Sequence, residues 1–302
     1  MSVYAALAHD LGELAHVDVP LARYSGVGVG GPADILVIVR SRDELLSTMQ
    51  SVQKSGLPWR VFGSLTNVLL PDAGLRGVTI LNHARQMQFI ADGRVTVACG
   101  AAMVRVAREA VRRGLDGLTW AVGLPGTVGG AIVNNAGAFG GEISRILTST
   151  EIWNMMTGTV NVVAADSFDF RYRYSRLKAA AESEVVLTAT FQLQAHDPER
   201  LASDAADHTA RRMRTQPSGK TLGSTFKNPP GDYAGRLIEA AGLKGKREGG
   251  FVISRHHANF FINTDHGTAA DYRALIQIAQ QTVHAQFGVF LEPEIEVVRG
   301  AS

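Results

Sequence analysis

Four stretches of this 302-residue chain carry side chains able to do chemistry. In FRYRYSR, Arg173 stands among aromatic and basic neighbours. A guanidinium fork suits a carboxylate, which it grips with two parallel hydrogen bonds. The plain alternative is an exposed strand face with alternating side chains. In GKTLGSTFKNP, Ser224 follows a glycine, but no G-x-S-x-G elbow surrounds it, which argues against an acyl-transfer nucleophile. It is either a loop serine or a proton donor, and its high intrinsic pKa would restrict it to a strongly basic carbanion. Lys227 and Asn228 follow closely, able to neutralise a diphosphate or orient a ligand; Asn228 could instead stabilise the turn before Pro229. In FLEPEIEVV, Glu292, Glu294 and Glu296 alternate, so a strand would put all three on one face. Pro293 favours an edge or a strand start, and outward carboxylates are common on edges. His256, His257 and Asn259 cluster in RHHANF, but no cysteine or carboxylate lies at metal spacing, so zinc is not expected.

The residues from Gly123 to Gly141, GLPGTVGGAIVNNAGAFGG, hold seven glycines, three alanines and no ionisable side chain. Glycine costs about 1 kcal/mol per interior helix position relative to alanine, so a stable solvent-exposed helix is excluded. Leu124, Val128, Ile132, Val133 and Phe139 want burial, so a flexible linker is excluded too. What remains is a backbone laid tightly against something large. That partner is either a bound cofactor, met by bared amide groups, or another element crossing closely.

The elements that must position these stretches are legible in order. Residues 3–15 read as a short helix ending near Gly12 or Leu14. Ala33 to Val39 reads as a strand; the glycines before it precede that strand, whereas a dinucleotide fingerprint must follow one, so no Rossmann site is expected there. Ser41 with Glu44 forms a capping box for a helix stopped by Gly56. Strands follow at 59–62 and 78–82, then a hairpin turning at Asp92-Gly93. Ala101 to Arg113 reads as a helix with Val104, Ala107, Ala110 and Val111 on one face. Residues 143–153 and 158–163 pair, and 185–193 is a strand. A polar, alanine-rich helix or connection occupies 194–210, Gly231 to Ala241 suggests another helix, and Thr268 to Phe287 reads as an amphipathic one. Phe290 to Val298 reads as a final strand.

The length suggests two or three domains. Hydrophobic residues at 45% and charged residues at 19% give an ordinary soluble balance, and no apolar run is long enough to span a membrane. One cysteine, Cys99, excludes a disulfide framework and reads as an inert core thiol. The N-terminus carries acidic residues and no basic n-region, so the expected location is cytoplasmic. A net charge of +2 makes no magnet for polyanions. Residues 211–255 nevertheless hold ten basic and three acidic side chains, which reads as a charged surface or a local anionic-ligand site. Nucleic-acid binding is not expected, because a long basic face interleaved with aromatics is missing.

Taken in order, GLPGTVGGAIVNNAGAFG, YRYS, GSTFKNP, HHANF and FLEPEIEVVRG resemble the UDP-N-acetylenolpyruvoylglucosamine reductases, over essentially the whole chain. The resemblance implies an α+β protein: a vanillyl-alcohol-oxidase/PCMH-type two-part FAD-binding fold plus a C-terminal α+β substrate domain. It implies FAD-binding parts at 1–85 and 86–200, a substrate domain at 201–288, and a strand in 289–302 returning to the first part. The connection from 178 to 224 is short, as in the subtype lacking a tyrosine-bearing loop over the substrate. The implied activity is NADPH-dependent reduction of UDP-N-acetylglucosamine enolpyruvate to UDP-N-acetylmuramate through non-covalently bound FAD, for peptidoglycan synthesis. A monomer is expected, with no membrane or nucleic-acid partner.

The same resemblance assigns Arg173, Ser224 and Glu294 as acting residues, with Tyr172, Lys227 and Asn228 at the substrate. It puts FAD contacts on the loop holding Gly63, Ser64, Thr66 and Asn67, and on the glycine-rich run at Pro125, Gly126, Thr127, Gly129 and Gly130, then at Asn135, Ala136 and Gly137. Departures from the family pattern are Ser64 and Leu65 in place of glycines, Thr66 in place of serine, Gly26 and Gly28 in place of a threonine and a basic residue, and His256 in place of a lysine. Two rivals remain: an FAD-dependent alcohol or sugar oxidase of the same superfamily, which does not need the Arg173, Ser224, Glu294 trio, and a non-catalytic nucleotide-sugar-binding module.

Overall fold

The computed structural model describes residues 2–299. Two compact units emerge from the chain's own contacts. The first comprises residues 1–18, 34–64 and 77–212, and the second residues 19–33, 65–76 and 213–302.

The first unit has two hydrophobic cores. One lies among α1 (Val3–Leu11), α2 (Arg42–Ser55) and the strands 34–39 and 77–82, with Ile35, Val37, Leu45, Met49, Val52 and Ile80 fully or almost fully buried. α2 begins where the serine expected to cap it accepts the amide of Glu44 at 3.0 Å, and ends at Gly56 in the left-handed region, φ 67°. The strands here order as Ala15–Pro20, Pro32–Val39, Leu75–Asn82 and Trp59–Phe62, the last two parallel. The strand at Ala15–Pro20 lies where no sequence signal marked one; four of its six residues are exposed, so hydrophobic alternation is missing.

The larger core is built on a five-stranded antiparallel sheet ordered Thr159–Ala164, Leu147–Asn154, Glu184–Gln192, Arg94–Ala98 and Met87–Phe89. The hairpin turns at Asp92-Gly93, where Gly93 has φ 82°. Against this sheet lie α3 (Met103–Arg112), the short α4 (Val128–Val133) and α5 (Pro198–Thr215), whose Ala205 meets the same core. Arg42 on α2 grips Glu151 through Nε and Nη2 at 3.2 and 3.1 Å, and Thr188 donates to the same carboxylate at 2.8 Å. Burial alone would push the Glu151 carboxyl up; the hydrogen bonds from Arg42 and Thr188 carry it below its ordinary value.

The second unit is an antiparallel sheet ordered Lys220–Ser224, Phe260–Asn263, Phe251–Ile253 and Arg247–Glu248, covered by α6 (Ala234–Ala240) and α7 (Ala269–Phe287). Tyr272, Leu275 and Val283 of α7 are fully buried and Ile278 partly so, which fits the expected amphipathic stripe. Thr268 and Asp271 form a capping box at its start. Asp72 adds to that cap from 65–76, accepting the amides of Ala269 and Ala270 at 2.7 and 3.1 Å. A carboxylate here satisfies two of the four orphan donors and complements the helix dipole.

The expected strand at 290–298 shrinks to Glu296–Val297, parallel to Val68–Leu69. Proline cannot donate to a ladder, so Pro293 confines residues 292–294 to a single bridge with Phe226. Among the described residues no helix is long and apolar enough to cross a membrane.

Replacing Asp72 with alanine is expected to destabilise the second unit by about 1 kcal/mol, the usual worth of a helix cap. Urea unfolding followed by circular dichroism would read this as a lowered midpoint with an unchanged slope.

Candidate active site

The glycine-rich run resolves into distinct jobs. Thr127 caps α4, its hydroxyl accepting the amide of Gly130 at 3.4 Å. The amides of Val128 and Gly129 donate to the carbonyls of Ala101 and Cys99 at 2.9 and 2.8 Å. Several glycines serve close approach within the protein. A Cβ added at Gly63 would lie 2.1 Å from Thr127 Oγ1, one at Gly129 3.2 Å from Cys99 Cβ, and one at Gly137 2.6 Å from the carbonyl of Gly141. Gly130 differs: its Cβ would meet only Thr127 Oγ1, at 3.6 Å, and the residue is exposed. Both readings of this run therefore hold, at different positions. Cys99 is buried, and burial pushes its thiol well above the ordinary range, as befits an inert core residue.

The arginine turn hangs from this run. Asn135 is buried with φ 40°, and its amide donates to the carbonyl of Arg171 at 3.1 Å and to Glu142 Oε2 at 3.4 Å while accepting the amide of Ser144 at 3.0 Å. Ser175, fully buried, donates to the carbonyl of Val133 at 2.7 Å. Between these anchors Arg171 and Tyr174 exchange backbone hydrogen bonds at 3.1 Å. Arg173 therefore sits in a tight turn, not on the strand face its alternating neighbours suggested, and its φ is 55°. A left-handed non-glycine residue costs roughly 1–2 kcal/mol, and such strain collects at functional sites. The guanidinium donates from Nη2 to the carbonyl of Gly137 at 2.9 Å and lies 5.2 Å from the centroid of the exposed Tyr172 ring. Asn135 and Gly137, expected at the cofactor, thus also fix Arg173.

In the second unit, Ser224 ends a strand whose register slips between Thr221 and Ser224, with Gly223 at φ 80°. Such a bulge re-aims the side chain that follows. Thr225 points inward, its hydroxyl 2.9 Å from the buried Tyr272 phenol. Asn259 holds the next residue from both sides: its Oδ1 accepts the amide of Phe226 at 2.9 Å and its Nδ2 donates to the same residue's carbonyl at 2.8 Å. The asparagine of HHAN is therefore a clamp on the serine-bearing loop. His257 supports it, accepting the amide of Asn259 on Nδ1 at 3.2 Å, and burial lowers the imidazole's pKa.

Glu294 is drawn to the same loop. Its amide donates to the carbonyl of Thr225 at 2.8 Å, while the amide of Lys227 donates to the carbonyl of Glu292 at 2.9 Å. Pro293 occupies the bridge position that needs no N–H. The antiparallel register thereby sets Glu294 opposite Thr225, the residue that follows Ser224. Asn67, expected at the cofactor, donates to the Glu294 carbonyl at 3.3 Å. The Glu292 carboxylate pairs with Lys227 Nζ at 2.5 Å. Asn228 accepts the amide of Ala234 at 3.1 Å, at the start of α6. A Cβ at Gly28 would lie 3.6 Å from Lys220 Nζ, so a basic group stands beside the position where the family pattern has one.

The loop from Gly63 to Asn67 runs from the first unit into the second. Leu65 has φ 53° and a buried side chain, so burial offsets the strain of leucine at a glycine-like position. Among the described residues, the amides of Ser64, Leu65 and Thr66 donate to no protein acceptor. Successive bared amides around a left-handed residue form an anion nest. Such a nest suits an anionic group of a cofactor, and within the first unit the exposed backbone at Gly130 is likewise open to one.

Residues 33–164 match the model of an FAD binding domain, and residues 215–298 match that of the UDP-N-acetylenolpyruvoylglucosamine reductase C-terminal domain. The chain is 42% identical over 285 residues to the UDP-N-acetylenolpyruvoylglucosamine reductase of Parasynechococcus marenigrum, covering 92% of this chain and 94% of that one. The chain belongs to the UDP-N-acetylenolpyruvoylglucosamine reductase family. A Rubrobacter xylanophilus reductase is 42% identical over 286 residues, covering 94% of this chain and 95% of its own. The crystal structure of the Thermus caldophilus reductase superposes with a TM-score of 0.80 at 33% identity, over 94% of this chain and all of that one. This reductase-family chain therefore has an FAD-binding domain followed by a C-terminal α+β domain, and is an FAD-dependent oxidoreductase.

Asn259→Ala is expected to cost roughly 2–4 kcal/mol, since it orphans a buried amide and carbonyl of Phe226. Urea unfolding would read the loss, and FAD absorbance should persist. A second expectation concerns acid. His257 and His83 are both held below their ordinary pKa, chiefly by burial. Such groups bind protons more readily when unfolded, so their contribution is present above the unfolded pKa of about 6.5 and is lost as pH falls through it. Thermal midpoints should drop from pH 7 to 5.5, and His257→Gln should flatten that slope.

Proposed function

We propose that this chain reduces UDP-N-acetylglucosamine enolpyruvate to UDP-N-acetylmuramate at the expense of NADPH, in the cytoplasm. The carrying observation is the pairing of backbones 225–227 and 292–294, which brings the Glu294 motif onto the loop that carries Ser224 and sets Glu294 opposite Thr225. FAD, when bound, takes two electrons from NADPH and passes them to the enolpyruvyl double bond. The 1–85 and 86–200 segments hold the cofactor in this reading, and 201–288 the nucleotide sugar.

The chain's own task is charge and proton management. Two electrons enter with one hydrogen at the terminal methylene carbon, and negative charge builds on the neighbouring carbon and its carboxylate. Arg173, fixed by Gly137 and braced on Tyr172, stabilises that carboxylate. Ser224 delivers the second hydrogen as a proton to the carbon bearing the ether oxygen. Glu294 relays the replacement proton to Ser224 or steadies the enolic charge. Lys227, oriented by Glu292, and Asn228 serve the diphosphate side of the substrate.

Half-reactions test these roles. Ser224→Ala should leave anaerobic bleaching of the flavin by NADPH within about twofold of the parent, yet slow substrate reduction by 10²-fold or more, the usual range for a lost general acid. Equal loss in both steps would remove Ser224 from proton delivery. Arg173→Lys should lower substrate turnover by at least about tenfold, because a point charge cannot reproduce the fork. Rapid oxidation of reduced flavin by oxygen, with no NADPH consumed, would favour the oxidase reading instead.

A further inference from the structure

Arg212 lies in the last turn of α5, and its stem lies against Gly123, the first residue of the glycine-rich run. A Cβ at Gly123 would stand 3.1 Å from Arg212 Cδ and 4.0 Å from its Nε. The helix is held there independently: His208 stacks on Phe139 at 4.7 Å with a 5° interplanar angle, and Arg211 Cζ lies 5.3 Å from the same ring. Arg212 is thus pinned, half-buried, over the first glycine of GLPGTVGG.

Its electrostatic surroundings are unlike those of the chain's other fixed arginines. Arg42, Arg112 and Arg236 each pair with a carboxylate that raises their pKa. Among the described residues the Arg212 guanidinium has neither a hydrogen bond nor an ion pair, and burial alone lowers its pKa. A guanidinium taken partly out of water with no acceptor is costly, and the cost is offset only when an anion arrives. The segment it lies on leads directly into the Pro125 to Gly130 backbone that fits the cofactor.

We infer that Arg212 is the countercharge for an oxyanion of bound FAD, either a diphosphate oxygen or the pyrimidine oxygen on which negative charge grows during two-electron reduction. This rests on the FAD-dependent reading above. It gives the basic segment from residue 211 onward a specific occupant at its first turn. It also gives glycine at position 123 a use: a Cβ there, 3.1 Å from Arg212 Cδ, would make the stem give way by a few tenths of an ångström.

The test is binding and potential, not turnover. Flavin-stripped wild type, Arg212→Met and Arg212→Lys would be titrated with FAD and with riboflavin, which lacks the diphosphate, and the flavin potential measured. Arg212→Met should weaken FAD by about tenfold or more, as expected for a lost charge-assisted hydrogen bond, while Arg212→Lys recovers most of the affinity. Weakening of FAD with riboflavin unchanged assigns the diphosphate. Weakening of both, with a potential lowered by about 30 mV for each tenfold preference lost by the reduced form, assigns the pyrimidine oxygen. FAD and riboflavin affinities and a potential all matching wild type, with only the thermal midpoint moved, overturn the inference. Wild type that binds no FAD at all defeats the proposed function itself, which separates the two failures.

Discussion

The second unit's chemistry depends on two backbone hydrogen bonds, from the amide of Glu294 to the carbonyl of Thr225 and from the amide of Lys227 to the carbonyl of Glu292. They join motifs more than sixty residues apart in a register that sets Glu294 opposite Thr225, next to Ser224 in the chain. Neither bond would hold if the serine loop were slack. Asn259 prevents this by closing both polar groups of Phe226, and Thr225 by sharing a hydrogen bond with Tyr272 in the core. Because Thr225, Phe226, Asn259 and Tyr272 are buried, breaking these last contacts leaves an unsatisfied group rather than a solvated one, and that asymmetry keeps the loop rigid.

The first unit uses a different device for the same purpose. Arg173 is presented from a strained turn, and the strain is sustained by hydrogen bonds to either side of it, from Asn135 to Arg171 and from Ser175 to Val133. The glycine-rich run is thus both a surface suited to a cofactor and the foundation of an arginine. A substitution there has two routes to damage, one through cofactor fit and one through the guanidinium's position.

Much of this was legible early. Ser41, Gly56 and Asp92-Gly93 announced their elements because capping and tight turns are local chemistry, readable in a few residues. The family's ordered motifs carried the fold and the FAD-dependent chemistry. Less legible were the strand at Ala15–Pro20, which lacks alternation because most of it faces solvent, and the shortness of the final strand. The ion pair of Glu292 with Lys227 was not legible either, because it joins two motifs far apart in the chain. Asn259 as a clamp had one available signal: a small amide in a turn beside buried aromatics, able to mimic backbone.

The sequence by itself determined the family, the helix limits and the residue types available for charge and proton work, because these follow from local propensity and motif order. Only the tertiary structure decided which side chains those residues answer to. That Gly63 must be glycine because Thr127 lies against it, that Asn67 holds the Glu294 carbonyl, and that Arg212 is pinned over Gly123 without a carboxylate are facts of packing between distant segments. Contact distances of 2–4 Å across such separations are set by how whole elements fit, and no short stretch of chain encodes them.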